Sequence, residues 1–276
     1  MTLKDLYSYC SKELEFGGCG DFESLCIFSD VLKISKSQIY LDNRDASLEQ
    51  TVLVEDIIQR RKSGEPLQYI LGNWDFYDLT FKVGKGVLIP RPETELLVDF
   101  ALEKLRNVNN PIVFDLCAGT GCIGLTIAKH RADATVYLLE KEDEAFKFLQ
   151  ANNEILGLTN TKIIQGDLFS VDISLFPNAD MLLSNPPYII SDEIIELQKE
   201  VQSEPITALD GGKDGLDFYR CLANRWSEKV KNDCWMAFEC GENQSQDILE
   251  LFNEIYSENN VIFDFNNIDR IVTFRI

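Results

Sequence analysis

From Ile112 onward, short apolar runs alternate with longer stretches of helical periodicity. The first run, Ile112–Leu116, precedes a glycine turn and a helix that we expect to reach Lys129. Because parallel strands need a crossover segment between them, repeated strand–helix units predict an α/β fold with a parallel, doubly wound sheet. Little chain separates the last two runs, which are therefore expected to pair antiparallel. Further strands are expected at residues 135–139, 162–165, 181–183, 235–238, 261–265 and 271–276, and further helices at 143–156, 216–230 and 246–256.

The chain before this alternation has two other patterns. Residues 1 to about 70 carry apolar side chains at helical spacing between short polar breaks, which predicts a helical bundle. Alternating apolar residues then flank Gly84–Gly86, which predicts a β-hairpin. The segment Pro90–Glu95 leads into a helix over about 94–106. We predict a bundle at 1–72, a hairpin linker at 73–90 and the α/β domain at 91–276.

Composition restricts the classes of function. The 276 residues include 46 acidic and 26 basic side chains, a net charge of −20 that repels phosphate and favours a basic partner over nucleic acid. The eight cysteines form no C-x-x-C pair and His130 is the single histidine, which argues against a metal site. No apolar run approaches the roughly 18 residues of a membrane span. With no secretory leader, we expect a cytoplasmic monomer without membrane attachment.

The segment Asn185-Pro186-Pro187-Tyr188 follows an apolar strand and cannot continue it, because proline lacks the N–H of a sheet ladder. Ligands of open α/β sheets bind at this carboxyl end of the strands. The side-chain oxygen of Asn185 and the carbonyl of Pro186 would together suit a planar NH2 group with two protons to donate. The segment would otherwise be only a proline-rich turn.

The turn after the first strand has the spacing Gly119-x-Gly121-x-x-Gly124. This pattern fits a dinucleotide that places its pyrophosphate at the helix N-terminus, and it also fits S-adenosylmethionine. Asp115 before the loop suits a cationic sulfonium or ammonium better than a pyrophosphate. The Asn-Pro-Pro-Tyr turn on the fourth strand favours the methyl donor.

Two acidic residues follow the next strands. Glu140 is expected to accept hydrogen bonds from both ribose hydroxyls. Asp167 would bind an adenine amino group while Leu168 packs on the ring. Each also has a simpler interpretation, since Asp115 or Asp167 alone could be a helix cap and Glu140 an ordinary solvated charge.

These motifs resemble those of the release factor glutamine methyltransferases, the PrmC or HemK family, over nearly the whole chain. The resemblance rests on residues 60–66 (RRKSGEP), 88–95 (LIPRPETE), 115–121, 185–189 (NPPYI), 204–205, 208–209 and 211–220. It implies a seven-stranded, Rossmann-like class I methyltransferase domain that binds S-adenosylmethionine and releases S-adenosylhomocysteine, and an N-terminal bundle that docks the substrate. The substrate would be the glutamine of the Gly-Gly-Gln motif in peptide-chain release factors, which would modulate translation termination. The loop departs from the family at Cys117-Ala118, where Gly-Thr is common, and Glu140 stands where Asp is common.

The expected site therefore has three parts. Asn185 and Pro186 would be catalytic and would bind the acceptor with Pro187 and Tyr188. Arg91 and Thr94 would lie near the site. The cofactor residues would be Asp115, Cys117, Ala118, Gly119, Thr120, Gly121, Glu140, Asp167, Leu168 and Asn185. The alternatives are a nucleic-acid amino-methyltransferase, a nicotinamide-dependent oxidoreductase and a non-catalytic binding module.

Overall fold

The computed structural model describes residues 1–41, 44–253 and 255–276. Positions 42–43 and 254, which fall in stretches predicted to be helical, lie outside the described residues. The described chain divides into two compact units. The first contains Met1–Asn73 and Gln198–Ser203, and the second contains Trp74–Leu197 and Glu204–Ile276.

The first unit is helical. Its α-helices are α1 (Leu3–Glu13), α2 (Gly20–Cys26), α3 (Lys36–Leu41), α4 (Leu48–Lys62), α5 (Leu67–Leu71) and a later helix at Lys199–Gln202. Capping boxes begin α1 at Thr2 and α4 at Ser47. In each, the hydroxyl accepts the backbone N–H of the third helical residue, whose side chain accepts the backbone N–H of the capping residue. Apolar side chains from α1 to α5, including Leu6, Phe28 and Ile57, close the core.

A buried arginine connects three segments of this unit. Arg61, near the end of α4, is 3% exposed and forms two hydrogen bonds to the carboxylate of Glu23 on α2, at 2.8 and 2.6 Å. Its guanidinium also binds Glu200 at 2.8 Å and the carbonyl of Glu65 at 2.5 Å. A planar fork with several donors suits these partners better than an ammonium group would.

A two-stranded sheet of β1 (Asn73–Phe76) and β2 (Leu79–Lys82) follows, and the second unit begins at Trp74 within β1. The turn lies at Tyr77–Asp78, so the predicted turn at Gly84–Gly86 is wrong. Tyr77 has a φ of 59°, its N–H donates to Glu95 at 2.7 Å, and its hydroxyl donates to Asp99 at 2.8 Å. These contacts with the following helix hold a turn that the local sequence does not favour.

The seven-stranded sheet confirms the predicted fold class. Its order along the sheet is β5-β4-β3-β6-β7-β9-β8. The strands are β3 (Ile112–Leu116), β4 (Thr135–Glu140), β5 (Thr161–Gln165), β6 (Ala179–Ser184), β7 (Val230–Glu239), β8 (Glu258–Phe263) and β9 (Asp269–Arg275). The pairs from β5 to β7 are parallel, whereas β9 runs antiparallel to both β7 and β8, as predicted for the last two strands.

Helices cover both faces of this sheet. They are α6 (Glu95–Lys104), α7 (Cys122–His130), α8 (Asp143–Leu156), α10 (Asp217–Cys221) and α11 (Ser245–Leu251), whereas α9 (Lys199–Gln202) is the later helix of the first unit. One apolar core lies beneath α6 and α7 and a second beneath α10 and α11. The predicted helix at 216–230 is divided, because a π-helical turn at Leu222–Trp226 and a 3₁₀ turn follow α10. In the described ranges, no helix combines the length and apolar character needed to cross a bilayer.

A buried amide joins the small sheet to the loop after β3. Asn152 on α8 accepts the N–H of Lys82 at 2.7 Å and donates to the Lys82 carbonyl at 3.1 Å. Its other N–H donates to the carbonyl of Thr120 at 3.0 Å. The side chain thus pairs with the edge of β2 as a neighbouring strand would.

Candidate active site

A cavity of about 280 Å³ opens at the carboxyl ends of the parallel strands. This volume is near the lower end of the range of small-ligand sites. The cavity lies where β3 is flanked by β4 on one side and β6 on the other, so the crossovers leave in opposite directions and form a topological switch point. Ligand binding is expected there from topology alone.

The glycine loop that follows β3 has an unusual backbone. Cys117, Gly119 and Gly121 have φ values of 63°, 57° and 82°. Gly121 has a left-handed φ that strains any other residue, and a Cβ there would also lie 2.4 Å from Cδ1 of Leu149 on α8, so both conformation and space favour glycine. Gly119 has no atom nearer than 4.0 Å to such a Cβ, which leaves space on the cavity side.

Asp115 lies beneath the loop and does not line the cavity. Its side chain is fully buried, and Oδ2 accepts the N–H of Gly124 at 2.8 Å. Oδ1 is buried without a partner among the described residues. Burial raises the pKa of this carboxyl to about 7. The Gly124 bond is consistent with the expectation that Asp115 organises the loop.

Glu140 lines the cavity at the end of β4. Its Oε2 accepts the N–H of Gly119 at 2.7 Å, and its Oε1 accepts those of Lys141 and Glu142, both at 2.8 Å. Burial raises the pKa of this carboxyl, although the three N–H donors act in the opposite direction. The carboxylate is therefore fixed in direction and is not the freely solvated charge of the simpler interpretation.

Asp167 lines the cavity after β5, next to Leu168. Its Oδ1 accepts the N–H of Phe169 at 2.9 Å, and its Oδ2 lies 3.1 Å from the ammonium of Lys141. Burial raises the pKa of Asp167, but these two donors outweigh it and the pKa lies below its ordinary value. Leu168 is 3% exposed, with part of its side chain facing the cavity.

The Asn-Pro-Pro-Tyr turn leaves β6 beside the glycine loop. Asn185 and Pro187 line the cavity. Within the described residues, the side-chain oxygen of Asn185 and the carbonyl of Pro186 accept no hydrogen bond. Neither acceptor of the predicted pair is therefore occupied by another described residue, and Asn185 lines the cavity.

The surroundings of Tyr188 hold the turn in place. Gln244 donates to the Tyr188 carbonyl at 2.9 Å, and the Tyr188 hydroxyl donates to Glu239 at 3.4 Å. A Cβ on Gly211 would lie 2.7 Å from Cα of Tyr188, so a glycine-containing segment packs directly against this backbone. Tyr188 therefore packs into the core of the turn and does not line the cavity.

The sequence reasoning missed one residue of this region, Glu239. The amide nitrogen of Asn185 donates to the hydroxyl of Thr94 at 3.3 Å, and that hydroxyl donates to Glu239 at 2.5 Å. Glu239 is 2% exposed at the end of β7, and burial raises its pKa to about 7. A charged residue directly after the apolar run Trp235–Phe238 was the signal that could have identified it.

Arg91 and Thr94 both line the cavity, as expected for residues near the site. The guanidinium of Arg91 is paired with Glu204, which is 4% exposed and also accepts the N–H of Ile89 at 3.1 Å. This pair fixes the rim of the cavity through two charges that lie far apart in sequence.

Most of the predicted residues thus meet at one cavity. Those lining it are Arg91, Thr94, Cys117, Ala118, Gly119, Thr120, Glu140, Asp167, Leu168, Asn185 and Pro187. Asp115, Gly121, Pro186 and Tyr188 support the same loop and turn without lining the cavity.

Comparison with known proteins bears on the family. Residues 6–72 match a family model described as the PrmC N-terminal domain, and residues 93–207 match one described as a methyltransferase small domain. A release factor glutamine methyltransferase of Thermodesulfovibrio yellowstonii is 37% identical over 255 residues, covering 89% of each chain. One from Clostridium botulinum is 33% identical and covers 100% of this chain and 99% of its own. The chain belongs to the release factor glutamine methyltransferase family.

Solved structures agree with this family assignment at the level of the fold. A methyltransferase from Pyrococcus furiosus has a TM-score of 0.52 at 15% identity, covering 72% of this chain and 89% of its own. The human methyltransferase 10 domain containing protein has a TM-score of 0.53 at 13% identity, covering 83% and 99%. The predicted family and the methyltransferase class are confirmed. The alternative of a nicotinamide-dependent oxidoreductase does not agree with this family.

Proposed function

We propose that this protein transfers a methyl group from S-adenosylmethionine to the side-chain amide nitrogen of the Gly-Gly-Gln glutamine in peptide-chain release factors. Relatives named release factor glutamine methyltransferase, at 31–38% identity, support this substrate. The observation that carries the proposal is that the side-chain oxygen of Asn185, a residue that lines the cavity, and the adjoining Pro186 carbonyl accept no hydrogen bond within the described residues. The setting would be the cytoplasm, and the methyl group would modulate termination.

The donors and charges of the cavity fit S-adenosylmethionine better than a dinucleotide. The N–H groups of Gly119 and Gly124 already bind the carboxylates of Glu140 and Asp115. At the cavity, the carboxylate of Glu140 therefore occupies the Gly119 donor that a pyrophosphate would need, and its charge would repel a pyrophosphate. The same negative charge favours a cationic ligand.

Glu140, Asp167 and Leu168 would hold the nucleoside of this ligand, with Glu140 accepting from the ribose hydroxyls. When bound, S-adenosylmethionine supplies an electrophilic methyl group on a positively charged sulfur. The loop and strand ends of the protein provide the fixed surroundings in which that charge is presented.

Asn185 and Pro186 would orient the acceptor. An amide nitrogen is a poor nucleophile because its lone pair is delocalised into the carbonyl. Two acceptors that hold both N–H bonds fix the plane and position of the nitrogen, and orientation of this kind lowers the barrier without a change in basicity. A preformed polar site needs no reorganisation during transfer.

No strong base is required before transfer in this scheme. The single histidine, His130, lies at the end of α7 away from the loop and pairs with Asp78 at 2.9 Å. The nitrogen would lose its proton after the methyl group has arrived, with water as the acceptor.

The proposal is tested by incubating the protein with S-adenosylmethionine and a purified release factor, followed by peptide mass mapping. We expect one added methyl group on the Gly-Gly-Gln glutamine. A release factor with glutamate at this position is the matched control, because the side chain keeps its length and loses its N–H groups. Methylation elsewhere, or transfer to cellular RNA alone, would contradict the proposal.

The role of Asn185 is tested separately with Asn185→Ala. Transfer should be lost while S-adenosylhomocysteine binds, by calorimetry, with an affinity close to that of the unaltered protein. Retained turnover in this variant would show that another group orients the acceptor.

A further inference from the structure

A single hydroxyl lies between the amide of Asn185 and the carboxylate of Glu239. Thr94 is 1% exposed, so water does not compete for its hydrogen bonds. The contact between Thr94 Oγ1 and Glu239 Oε2 is 2.5 Å, in the range of a charge-assisted bond, whereas that between Asn185 Nδ2 and Thr94 Oγ1 is 3.3 Å. The Thr94 hydroxyl therefore donates its proton to the carboxylate of Glu239.

The direction of the first bond determines the direction of the second. A threonine hydroxyl has one proton and two lone pairs. When its proton is donated to an ionised Glu239, it offers Asn185 only a lone pair, so the amide must present its NH2 group. The side-chain oxygen of Asn185 then points away from Thr94 and is left for the acceptor.

We infer that Glu239 is a positioning residue that acts through Thr94 to hold the Asn185 amide with its oxygen facing the cavity. The inference rests on the proposed function, because an NH2-bearing acceptor is what requires an oxygen there. The two ends of a carboxamide have nearly the same shape, so packing alone discriminates poorly between its two orientations. A turned amide would present N–H groups to the N–H groups of the substrate.

The charge on Glu239 is part of this arrangement. A protonated carboxyl could donate to Thr94, whose own proton would then be free to turn toward Asn185 and attract the amide oxygen. The charged and titratable groups that face Glu239 are Arg270, Glu93, Tyr188, Tyr219, Cys122 and Cys240. Arg270 favours the carboxylate, whereas burial and Glu93 favour the protonated form.

The test compares Thr94→Val, Thr94→Ser and Glu239→Gln with the unaltered protein. Thr94→Val removes the hydroxyl and keeps the shape, so kcat on the release factor should fall at least about tenfold, the loss expected from one hydrogen bond. The affinity for S-adenosylhomocysteine should change less than about twofold, since the contact removed is with Asn185, which orients the methyl acceptor. Thr94→Ser restores the hydroxyl and should restore most of kcat.

Thr80→Val is the matched control. Thr80 makes a hydroxyl–carboxylate bond to Asp75 at 2.6 Å, but this pair is exposed on β2 and does not line the cavity. Its kcat should be unchanged. Equal losses in the two valine variants, or full turnover in Thr94→Val, would overturn the inference.

A readout independent of activity is the side-chain NH2 signal of Asn185 in ¹⁵N-labelled protein, assigned by its loss in Asn185→Ala. We expect this signal to move in Thr94→Val and to stay in place in Thr80→Val. It should titrate with pH in the unaltered protein and lose that titration in Glu239→Gln. An Asn185 signal indifferent to both substitutions would overturn the inference even if methylation occurs. Failure of the unaltered protein to methylate would instead reject the proposed function and leave this result standing.

Discussion

Cys117 has a left-handed backbone conformation that costs an ordinary residue about 1–2 kcal/mol relative to glycine. Cys117→Gly and Cys117→Ala both remove the sulfur, so their difference isolates the backbone. We expect the glycine variant to be more stable by about 1 kcal/mol, measured as the free energy of unfolding in urea.

The matched position is Ala118, whose φ is not in the left-handed region. At this position we expect Ala118→Gly to be less stable than the unaltered protein by about 0.5–1 kcal/mol, because glycine loses more conformational entropy on folding than alanine. The same preference at both positions would show that the φ of Cys117 is not the cause.

The buried carboxyl of Asp115 gives stability a defined pH dependence. Its pKa rises from 3.8 in the unfolded reference to about 7 in the folded protein. The folded state therefore holds more protons between these values, so this contribution is complete below about pH 4 and is lost as the pH rises through 7. We expect Asp115→Asn to flatten the fall in unfolding free energy between about pH 4 and pH 7, measured by urea denaturation. An equally steep fall in this variant would assign it to other groups.

At the scale of the elements, the packing of α4 against α2 is stabilised by the buried pair of Arg61 and Glu23. Arg61→Ala leaves Glu23 buried without its partner, and breaking a buried pair in this way costs about 3–5 kcal/mol. Arg60→Ala is the control, because Arg60 pairs with Glu65 near the surface and such pairs contribute about 0–1 kcal/mol. Unfolding of both variants followed by circular dichroism should show the large loss in Arg61→Ala alone.

Elements with strong local signals were predictable from sequence. The capping boxes at Thr2 and Ser47 and the apolar runs of β3, β4 and β6 are properties of a few adjacent residues. The turn at Tyr77 was not predictable, because its positive φ depends on Glu95 and Asp99 in a later helix. The π-helical turn at Leu222–Trp226 likewise has no local glycine or proline to indicate it.

The site was predictable to the same extent. Asn185 and Glu140 could be identified because each lies at the end of an apolar strand. Glu239 also lies at the end of an apolar strand, but its partner Thr94 is 145 residues away. The sequence does not show that these two residues pair, so Glu239 looks like any other acidic side chain. The network was missed because its members come together only when β6, β7 and the segment before α6 are packed.

At the scale of the whole molecule, the net charge of −20 destabilises the folded state through self-repulsion. Salt screens this repulsion, since the Debye length falls from about 10 Å at 0.1 M to about 3 Å at 1 M. We expect the urea midpoint to rise as sodium chloride is added, although exposed ion pairs weaken. A midpoint that falls with salt would show that specific ion pairs outweigh the net charge.

The side-chain amide of Asn152 connects the small sheet to the glycine loop. Its Oδ1 accepts the N–H of Lys82 on β2, and its Nδ2 donates both to the Lys82 carbonyl and to the Thr120 carbonyl in the glycine loop. Because all three bonds come from a single planar group that is 1% exposed, a shift of the loop would be passed to the hairpin as a tilt of that plane. The hydrogen-exchange rate of the Lys82 amide should therefore change when a ligand binds at the loop, although no residue of β2 lines the cavity.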